Sequence, residues 1–366
     1  MIALATQCFG PDFGGIEILM TGLADALTAS GQEIEVFADH IHRRDAGELV
    51  RPYPIRRFGS LRPLRRWMKR RALAQRAQPG FAGVFADSWK SVAAIPDGVG
   101  PIAVFAYGNE IPQDIDGARA RRVRAALSRA RTVIAISQFT AEMTRRVVAP
   151  ASTNIVVVNP PLEPQQVAGA DALAAIDARI AGRGPVVSTL SRLEPRKGVD
   201  KVLAAIPRLR ERFPRIVYLV GGGGDDLPRL QWLVAELGVG AQVEFLGRLP
   251  DDQAKAALFE RSDVFAMPVR RVGASVEGFG IVYAEAAWRG VPSLAGAEGG
   301  AAEAVLDGKT GFVRRGDDQE AVLEALTTLL ADGELRARMG ETARRRAREE
   351  LSWAQALPRY LAALDL

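Results

Sequence analysis

The chain begins with Met-Ile-Ala-Leu-Ala-Thr-Gln-Cys-Phe-Gly-Pro-Asp-Phe-Gly-Gly over residues 1–15. A short apolar run followed by a loop with glycine and proline is typical of a buried strand and the turn that leaves it. A helical pattern then extends to about Gly31, and a second apolar run covers residues 34–38. The order strand, helix, strand predicts a βαβ unit and hence a parallel sheet.

Short apolar runs recur along the rest of the chain, separated by segments with a helical pattern. The candidate strands are residues 83–86, 102–105, 132–136 and 155–158 in the first half, and residues 185–190, 216–220, 243–246 and 264–267 in the second half. Continuous apolar runs of this length favour strands that are covered on both faces, as in a parallel sheet between helices. We therefore predict an α/β protein with two Rossmann-like domains.

The boundary between the halves is predicted from the residues that break this pattern. Residues 159–161 read Asn-Pro-Pro, Pro164 follows, and a stretch rich in Ala, Gly and Asp continues to about Gly184. Such residues are typical of turns and linkers. The predicted organisation is a first domain over residues 1–165, a linker over 166–183, a second domain over 184–350 and a C-terminal helix over 351–366.

Length and composition limit the class of protein. At 366 residues, the chain is long enough for two domains of ordinary size. No stretch approaches the roughly 20 apolar residues that span a bilayer, and the first residues read as a strand rather than a signal peptide. Cys8 is the only cysteine, which excludes an internal disulfide and is typical of a reducing compartment. We expect a cytoplasmic protein, soluble or peripheral to the membrane.

Positive charge is concentrated in one segment. The formal net charge is +5, yet residues 43–76 contain twelve Lys or Arg and two Asp or Glu. Helical periodicity places Leu61, Leu64 and Trp67 or Met68 near one side of a helix, with cations around the rest. Two interpretations are open: a solvated helix on the acceptor side, or a helix that docks on anionic lipid. The residues expected to meet lipid are Arg65, Arg66, Trp67, Lys69, Arg70 and Arg71.

Open parallel sheets bind ligands at the carboxyl ends of their strands, so the loops after the predicted strands are candidate sites. Residues 191–198 read Ser-Arg-Leu-Glu-Pro-Arg-Lys-Gly, with Arg192 and Lys197 just before a helix. Cations at a helix N-terminus oppose its dipole, so their placement favours a bound anion such as a diphosphate. The Gly-Gly pair ending at Gly15 and the four glycines at 221–224 are weaker signals, because glycine turns are common without a ligand.

The most informative loop spans residues 277–286, which read Glu-Gly-Phe-Gly-Ile-Val-Tyr-Ala-Glu-Ala. Its glycines permit a sharp turn into a helix, whose first N–H groups, at Gly280 and Ile281, are placed to bind phosphate. Glu277 precedes this helix and Glu285 lies on it, an arrangement that suits one carboxylate for a sugar and one for a ribose. Taken alone, such a pair would more often be surface acids.

In order and spacing, these loops resemble the retaining glycosyltransferases of the GT-B fold. The resemblance is to family 4 in particular, which includes the mannosyltransferases of phosphatidylinositol mannoside synthesis, and it covers nearly the whole chain. It is carried by Gly-Gly-Ile-Glu at 14–17, Ser-Arg-Leu at 191–193 with Lys-Gly at 197–198, Phe-Leu-Gly at 245–247, the Glu-x7-Glu block at 277–285, Gly-Gly at 299–300 with Glu303, and Asp-Gly-Lys-Thr-Gly at 307–311. It implies two Rossmann-like domains facing across a cleft, with the C-terminal helix returning to the first domain.

The resemblance also implies a role for each matching residue. The donor diphosphate would be held by Gly15, Arg192, Lys197, Gly280 and Ile281. The nucleoside would be bound by Glu285 and Leu249, with Gly222 letting the backbone approach it, and the transferred hexose would meet Glu277, Phe279 and Gly280. The implied chemistry is front-face transfer with retention, in which the leaving phosphate helps to deprotonate the acceptor and no metal or other cofactor takes part.

One loop of the first domain departs from the family pattern. Many relatives carry a histidine there, in a His-Gly-x-Glu type loop that reaches the donor sugar, whereas residues 106–110 read Ala-Tyr-Gly-Asn-Glu. The two histidines of this chain, His40 and His42, follow the second predicted strand and are not its equivalent. Either Tyr107 or Asn109 supplies the sugar contact, or the contact is absent and Tyr107 is an aromatic lid on the cleft wall.

The leading hypothesis is a hexosyltransferase that uses GDP-mannose or a UDP-hexose and acts on a lipid-linked or glycan acceptor of the cell envelope. A nucleotide-sugar epimerase or a sugar-phosphate glycosyl synthase on the same two-domain plan is the alternative, distinguished by products formed without such an acceptor. A non-enzymatic nucleic-acid binder is a remote third class, because the basic segment lacks interleaved aromatic residues and any known reading motif.

Overall fold

The apolar runs of the first half form one parallel sheet in the computed structural model, which describes residues 1–11, 14–40, 50–148 and 153–366. Its strands are β1 (Ile2–Thr6), β2 (Ile34–Asp39), β3 (Ile55–Phe58), β4 (Gly83–Ala86), β5 (Ile102–Ala106), β6 (Thr132–Ala135) and β7 (Asn154–Val157). They pair in parallel in the order β3-β2-β1-β4-β5-β6-β7. Every residue of β1, β2, β4, β5 and β6 is buried, which explains why these strands are apolar on both faces.

This sheet belongs to a unit that combines Met1–Pro161 with Trp353–Leu366. Its helices are α1 (Gly15–Ala29), α2 (Arg62–Ala74), α3 (Trp89–Val92), α4 (Ala118–Leu127), α5 (Gln138–Val147) and, from the end of the chain, α14 (Trp353–Ala362). Tyr360 of α14 is fully buried, with its ring centroid 5.5 Å from that of Phe105 in β5. The last helix is therefore part of the core of the first unit, as expected from the resemblance.

Strand β3 is absent from the strands predicted from sequence, as are two strands of the second half of the chain, Ser293–Gly296 and Gly311–Arg314. Strand β3 reads Ile-Arg-Arg-Phe and is only partly buried, because it lies at the edge of the sheet beside β2. Arg56 of β3, together with Arg76, pairs with the buried carboxylate of Glu35. Charged residues are typical of edge strands, where they oppose pairing with another chain, and they conceal the apolar signal here.

The second unit, Leu162–Ser352, contains a six-stranded parallel sheet. Its strands are β8 (Val186–Leu190), β9 (Val217–Gly221), β10 (Val243–Gly247), β11 (Val264–Met267), β12 (Ser293–Gly296) and β13 (Gly311–Arg314). Their order is β10-β9-β8-β11-β12-β13. In both units the first strand therefore lies between the second and the fourth, which is the doubly wound order of Rossmann folds. The prediction of two Rossmann-like α/β domains is confirmed.

Helices cover the second sheet and complete its core. They are α6 (Ala170–Ile180), α7 (Val199–Arg212), α8 (Leu227–Glu236), α9 (Asp252–Glu260), α10 (Ile281–Trp288), α11 (Ala301–Ala304), α12 (Gln319–Ala331) and α13 (Gly333–Glu349). Apolar residues of α7 and α12, such as Ile206 and Leu326, pack against strand residues such as Val187 and Val264. No helix among those described is both long and apolar enough to cross a membrane.

The segment expected to be a linker, residues 166–183, contains helix α6. Ile176 and Ile180 of α6 are buried against Val217 of β9 and Leu258 of α9. These apolar residues recur at a helical spacing, so the helix is held by packing even though most of its other residues are Ala and Asp. The segment is thus part of the second unit, which begins at Leu162.

Candidate functional site

The strand order of the second sheet reverses between β8 and β11. The loops after these two adjacent strands are therefore neighbours at one end of the sheet. The loop after β8 carries Arg196 and Lys197 in a 3-10 turn, Pro195–Lys197. The loop after β11 carries Glu277 and ends where α10 begins. The topology thus joins a cationic loop to an acidic loop that is 80 residues away in the sequence.

Glu277 is the centre of a buried ion cluster. Its Oε2 accepts hydrogen bonds from Lys197 Nζ at 2.5 Å and from Arg196 Nη1 at 2.8 Å. Arg196 also donates from Nε to Glu194 Oε2 at 2.9 Å. The side chains of Glu277, Lys197 and Arg196 are only 14%, 10% and 6% exposed, so solvent screens these contacts weakly. Lys197, predicted to bind the diphosphate, and Glu277, predicted to bind the hexose, are therefore in direct contact with each other.

Burial opposes the charged forms of both Glu277 and Lys197, but neighbouring charges outweigh its effect on the pKa only for Glu277. Burial raises the pKa of Glu277, but the charges of Lys197 and Arg196 and their hydrogen bonds together lower it below its ordinary value. Burial lowers the pKa of Lys197, and the charge of Glu277 only partly offsets that effect. Glu277 is therefore an ionised hydrogen-bond acceptor at neutral pH, and its charge favours the protonated form of Lys197.

Two glycines allow the close approach of the loops and the turn into α10. Gly198 has a φ of 76°, and a Cβ there would lie 2.2 Å from the carbonyl oxygen of Pro268 in the loop after β11. Gly280 is the N-cap of α10 with a φ of 81°, and a Cβ there would lie 2.6 Å from the ring of Tyr283. Residues with a side chain rarely adopt these conformations, so glycine is required at both positions.

The N-terminus of α10 lies directly after this turn. Helix α10 begins at Ile281, as the sequence predicts, so Gly280 and Ile281 are at the end of the helix that favours anions. The ring of Phe279 is 1% exposed and belongs to the core. The structure therefore gives no exposed surface of Phe279 for the predicted sugar contact.

Glu285 lies four residues into α10 and is also paired. Its Oε1 accepts a hydrogen bond at 2.8 Å from Nζ of Lys255, a residue of α9 that lies 3.0 Å from Asp252 as well. Burial lowers the pKa of Lys255, but Glu285 and Asp252 outweigh that effect and raise it above the ordinary value. Glu285 is 8% exposed, so its orientation is set by Lys255 rather than by solvent.

Three other residues predicted to contact the donor lie outside the cluster around Glu277. Arg192 has a side chain that is 74% exposed, and it pairs with Glu194 at 3.2 Å. Gly222 has a φ of 116°, and a Cβ there would lie 1.8 Å from the carbonyl oxygen of Ser191, so it brings the loop after β9 against the loop after β8. Leu249 is partly buried against α6 and lines a cavity of about 610 Å3 beside it.

Two cations of the site were not singled out from the sequence. Arg196 is adjacent to Lys197 in the run Glu-Pro-Arg-Lys, but it is not one of the residues to which the resemblance assigns a role. Lys255 lies on a helix with a mixed surface, and no motif marks it. Only the fold shows that it meets Glu285, which is 30 residues later in the chain.

The first unit holds the remaining predicted contacts. Gly15 is the first residue of α1, and a Cβ there would have nothing within 4 Å. Tyr107 stacks on Phe105 with ring centroids 6.1 Å apart, and its buried Oη has no hydrogen-bond partner among the described residues. Burial raises the pKa of Tyr107 well above its ordinary value, so it is not a base at neutral pH. Asn109 is exposed beside it, and its carbonyl oxygen faces Arg119.

Residues 62–74 of the basic segment form helix α2, whereas residues 43–49 of that segment lie outside the described residues. One cation of α2 is placed wrongly by the sequence-based prediction. Lys69, expected to meet lipid, is 3% exposed. Its Nζ donates to Asp39 Oδ1 at 2.6 Å and to the carbonyl oxygen of Thr6 at 2.8 Å, because α2 packs on the ends of β1 and β2. Lys69 is therefore a structural ion-pair residue, and its assignment to a membrane surface is wrong.

Two family models match this chain. The model for glycosyl transferases group 1 matches residues 176–346, and the model for glycosyltransferase family 4 matches residues 13–166. Each match lies almost wholly within one of the two units. Together they cover both Rossmann-like domains.

Curated relatives match over part of their length. The chain is 47% identical over 174 residues to the GDP-mannose-dependent alpha-(1-6)-phosphatidylinositol monomannoside mannosyltransferase of Mycolicibacterium smegmatis, covering 47% of this chain and 45% of that protein. It is 41% identical over 171 residues to the GDP-mannose-dependent monoacylated alpha-(1-6)-phosphatidylinositol monomannoside mannosyltransferase of Corynebacterium glutamicum, covering 46% and 44%. The chain thus spans about half the length of the curated relatives that it matches.

Solved structures match over the whole chain at low identity. Sucrose-phosphate synthase of Thermosynechococcus elongatus has a TM-score of 0.78 at 22% identity, covering 99% of this chain and 97% of that one. Anabaena HepE in complex with UDP and glucose has a TM-score of 0.77 at 18% identity, covering 100% and 99%. At such identities the likeness concerns the fold, and it confirms the predicted GT-B class.

Proposed function

Since the chain belongs to the family 4 glycosyltransferases of the GT-B fold, we propose that it transfers a hexose from a nucleoside-diphosphate sugar to an acceptor of the cell envelope. The observation that carries this proposal is the buried Lys197–Glu277 pair at the switch point of the second sheet. Lys197 and the N-terminus of α10 would bind the diphosphate, and Glu277 would accept hydrogen bonds from the hexose. Glu285 would bind the ribose hydroxyls.

We propose that the reaction proceeds with retention and without a metal. The bond between the anomeric carbon and the phosphate oxygen breaks, the acceptor oxygen bonds to that carbon on the same face, and its proton passes to the departing phosphate. Lys197 and the N–H groups at the start of α10 would stabilise the negative charge that develops on the diphosphate. In this mechanism Glu277 is an ionised carboxylate that orients the hexose. The anomer of the product, read by NMR, and turnover in a chelator test both features.

The relatives support a proposal for the donor and acceptor classes. The similar mannosyltransferases are named for GDP-mannose and for a phosphatidylinositol acceptor, whereas HepE was solved with UDP. We propose GDP-mannose or a UDP-hexose as donor and a lipid-linked or glycan acceptor. A product that forms from the donor alone, with its sugar rearranged, would favour the epimerase alternative instead.

A panel of GDP-, UDP- and ADP-sugars tests the proposed function. Each is scored for slow donor hydrolysis and for the rise in thermal unfolding temperature that a ligand of the native state produces. We expect one nucleotide class to give both effects. The proposal fails if every member of the panel gives neither, in the presence and in the absence of a divalent metal.

We propose further that helix α2 docks on the anionic inner face of the cytoplasmic membrane. Leu61, Leu64 and Trp67 are 81%, 50% and 55% exposed, although they are apolar. The Arg71 guanidinium lies over the Trp67 ring at 5.6 Å, so a cation borders this apolar face. An exposed apolar face with cations beside it fits an anionic lipid surface.

Flotation with vesicles of phosphatidylcholine and phosphatidylglycerol tests this surface. We expect Leu64→Ser/Trp67→Ser to lose most vesicle binding, because the apolar side chains no longer enter the interface. Trp232→Ser is the matched control, since Trp232 is 61% exposed on the second unit. Binding that is absent in the native protein, or equal in all three proteins, would contradict membrane docking by α2.

A further inference from the structure

A cavity of about 450 Å3 lies in the first unit, at the carboxyl ends of its central strands. Gln7 follows β1, Asp39 ends β2, and Trp89 lies just after β4. The order of the first sheet changes direction between β1 and β4, so the cavity occupies the position at which open α/β sheets bind ligands. Helices α2, α3 and α4 provide the rest of its wall.

The lining of this cavity is strongly basic. It contains seven Lys or Arg side chains and a single carboxylate, Asp39. That carboxylate is already occupied, because Lys69 donates to one of its oxygens and Arg65 lies 3.1 Å from the other. A third cation, Arg129, pairs with Asp97 and donates to backbone carbonyls. Protein carboxylates thus pair with three of the seven cations.

Four cations of the cavity have no such partner. Within the described ranges, no ion pair within 4.0 Å involves Arg62, Arg66, Lys90 or Arg122, although Lys90 also interacts at longer range with the carboxylate of Glu110. They come from three different elements, since two belong to α2, one to α3 and one to α4. Concentrating like charges in one concave wall costs free energy unless an anion compensates it. Their convergence therefore indicates a ligand with several negative charges.

Two uncharged donors in the wall support the same conclusion. The hydroxyl of Ser91, a residue that is 2% exposed, has no hydrogen-bond partner among the described residues. The same is true of the buried Nε1 of Trp89. Buried donors are nearly always paired, so two unpaired donors in residues of this wall are unusual. Both atoms are screened from the open cavity by their neighbours, so the cations are the groups that a ligand would meet first, and phosphate oxygens accept hydrogen bonds from Lys and Arg.

We propose that this cavity binds an acceptor substrate that carries two phosphate groups, as a diphosphate or as a pair of monoesters. The proposal rests on the transfer reaction proposed above, for which the cavity would select the acceptor. One phosphodiester, as in a phosphatidylinositol headgroup, bears a single charge and leaves most of the four unpaired cations uncompensated. Two phosphates offer at least six oxygens and a charge close to that of the wall.

Calorimetric titration with inorganic pyrophosphate and with inorganic phosphate tests the proposal directly. Lys90→Gln/Arg122→Gln removes two unpaired cations that lie on α3 and α4. The proposed lipid-binding face of α2 is left unchanged. Arg121→Gln is the matched control, because Arg121 is the adjacent residue of α4 and is exposed outside the cavity. Lys197→Met removes pyrophosphate binding at the donor site, so that the cavity is measured by itself.

We expect the Lys197→Met protein to bind pyrophosphate at least ten times more tightly than phosphate. Adding Lys90→Gln/Arg122→Gln to it should weaken pyrophosphate binding about 100-fold or more, as for the loss of two charge-assisted hydrogen bonds, and adding Arg121→Gln should change it less than twofold. Pyrophosphate binding that vanishes with Lys197→Met alone would overturn the proposal. So would equal affinity for phosphate and pyrophosphate.

Two further measurements complete the test. One distinguishes a lipid-linked ligand from a water-soluble one, and the other distinguishes failure of this proposal from failure of the proposed transfer reaction. Vesicles of phosphatidylcholine with a polyprenyl diphosphate are compared with vesicles of equal charge made with phosphatidylglycerol. Preference for the diphosphate vesicles assigns a lipid-linked ligand, and tight binding of pyrophosphate without that preference assigns a water-soluble one. If no donor is hydrolysed, the transfer proposal fails while the pyrophosphate titrations still decide whether the cavity is an anion site.

Discussion

Lys197 Nζ lies 2.5 Å from Glu277 Oε2, and each residue is the chief charged partner of the other. A donor diphosphate that binds Lys197 must therefore compete with a carboxylate of the protein. Arg196 also holds Glu277 Oε2, so it would remain the partner of Glu277 if Lys197 turned to the ligand. The carboxylate then keeps a cationic partner in both states and stays ionised.

The first prediction concerns Arg196 as a positioning residue. In Arg196→Met, Lys197 becomes the only cation on Glu277, so it is less available to the donor, and we expect KM for the donor to rise about tenfold. The pKa of Glu277 should rise as well, because one of the two charges that lower it is lost. The acid limb of the pH profile would then move to higher pH.

Arg196→Lys is the control for this prediction, since it restores a cation without the second hydrogen bond to Glu194. It should recover part of the loss in KM and return the acid limb toward its native position. A purely structural role for Arg196 would lower the amount of active enzyme and leave the pH profile unchanged. That result would rule out the proposed exchange of partners.

The second prediction concerns the pH dependence of nucleoside-diphosphate binding. Burial already lowers the pKa of Lys197, and Glu277 opposes that effect. In Glu277→Gln the opposition is removed, so the pKa of Lys197 falls further below its ordinary value. Because binding needs protonated Lys197, affinity should be lost at a lower alkaline pH than in the native protein. Calorimetry across the alkaline range measures this limb without requiring turnover, and an unmoved limb would contradict the coupling.

The third prediction concerns Glu285 and the ribose. We expect Glu285→Gln to weaken binding of the nucleoside diphosphate by about tenfold, because a carboxylate accepts stronger hydrogen bonds than an amide. The same substitution should have little effect on the 2′,3′-dideoxy analogue, which lacks the hydroxyls. Equal losses for both ligands would show that Glu285 acts through Lys255 and the helix instead.

The fourth prediction concerns Tyr107. Its hydroxyl has a pKa raised by burial and no partner among the described residues, so it neither removes a proton nor holds a neighbouring group. Tyr107→Phe should keep turnover within about twofold, whereas Tyr107→Ala should lose stability because its ring packs on Phe105. A large fall in kcat for Tyr107→Phe alone would instead assign the sugar contact of the missing histidine to this hydroxyl.

Much of this architecture can be read from sequence because parallel strands are buried on both faces. Such strands are short apolar runs, and the residues directly after them lie at one end of a sheet. That reasoning locates Lys197 and Glu277 without any knowledge of their contact. It misses β3, in which Arg56 pairs with the buried carboxylate of Glu35. It also misses α6, where Ala and Asp surround the few apolar residues that pack.

Side-chain burial is the part that sequence does not supply. The helical pattern of α2 predicts the exposed apolar face, but nothing local shows that Lys69 meets Asp39, which is 30 residues earlier. Nor does it show that the cations of α2 converge with Lys90 and Arg122, which lie on separate helices. Both facts depend on where α2 packs on the sheet. For the same reason, the sequence does not show that Lys255 of α9 meets Glu285 of α10.

The central claim is that the Lys197–Glu277 site binds the diphosphate of a nucleotide sugar, and calorimetry tests it most directly. The nucleoside diphosphate of the active donor class is titrated into the native protein, Lys197→Met and Lys201→Met. Lys201 is the matched control, because it lies one turn along α7 and bonds the backbone of Asp317. We predict that Lys197→Met binds at least 30-fold more weakly than the native protein, while Lys201→Met binds equally well. Native affinity in Lys197→Met would contradict the account.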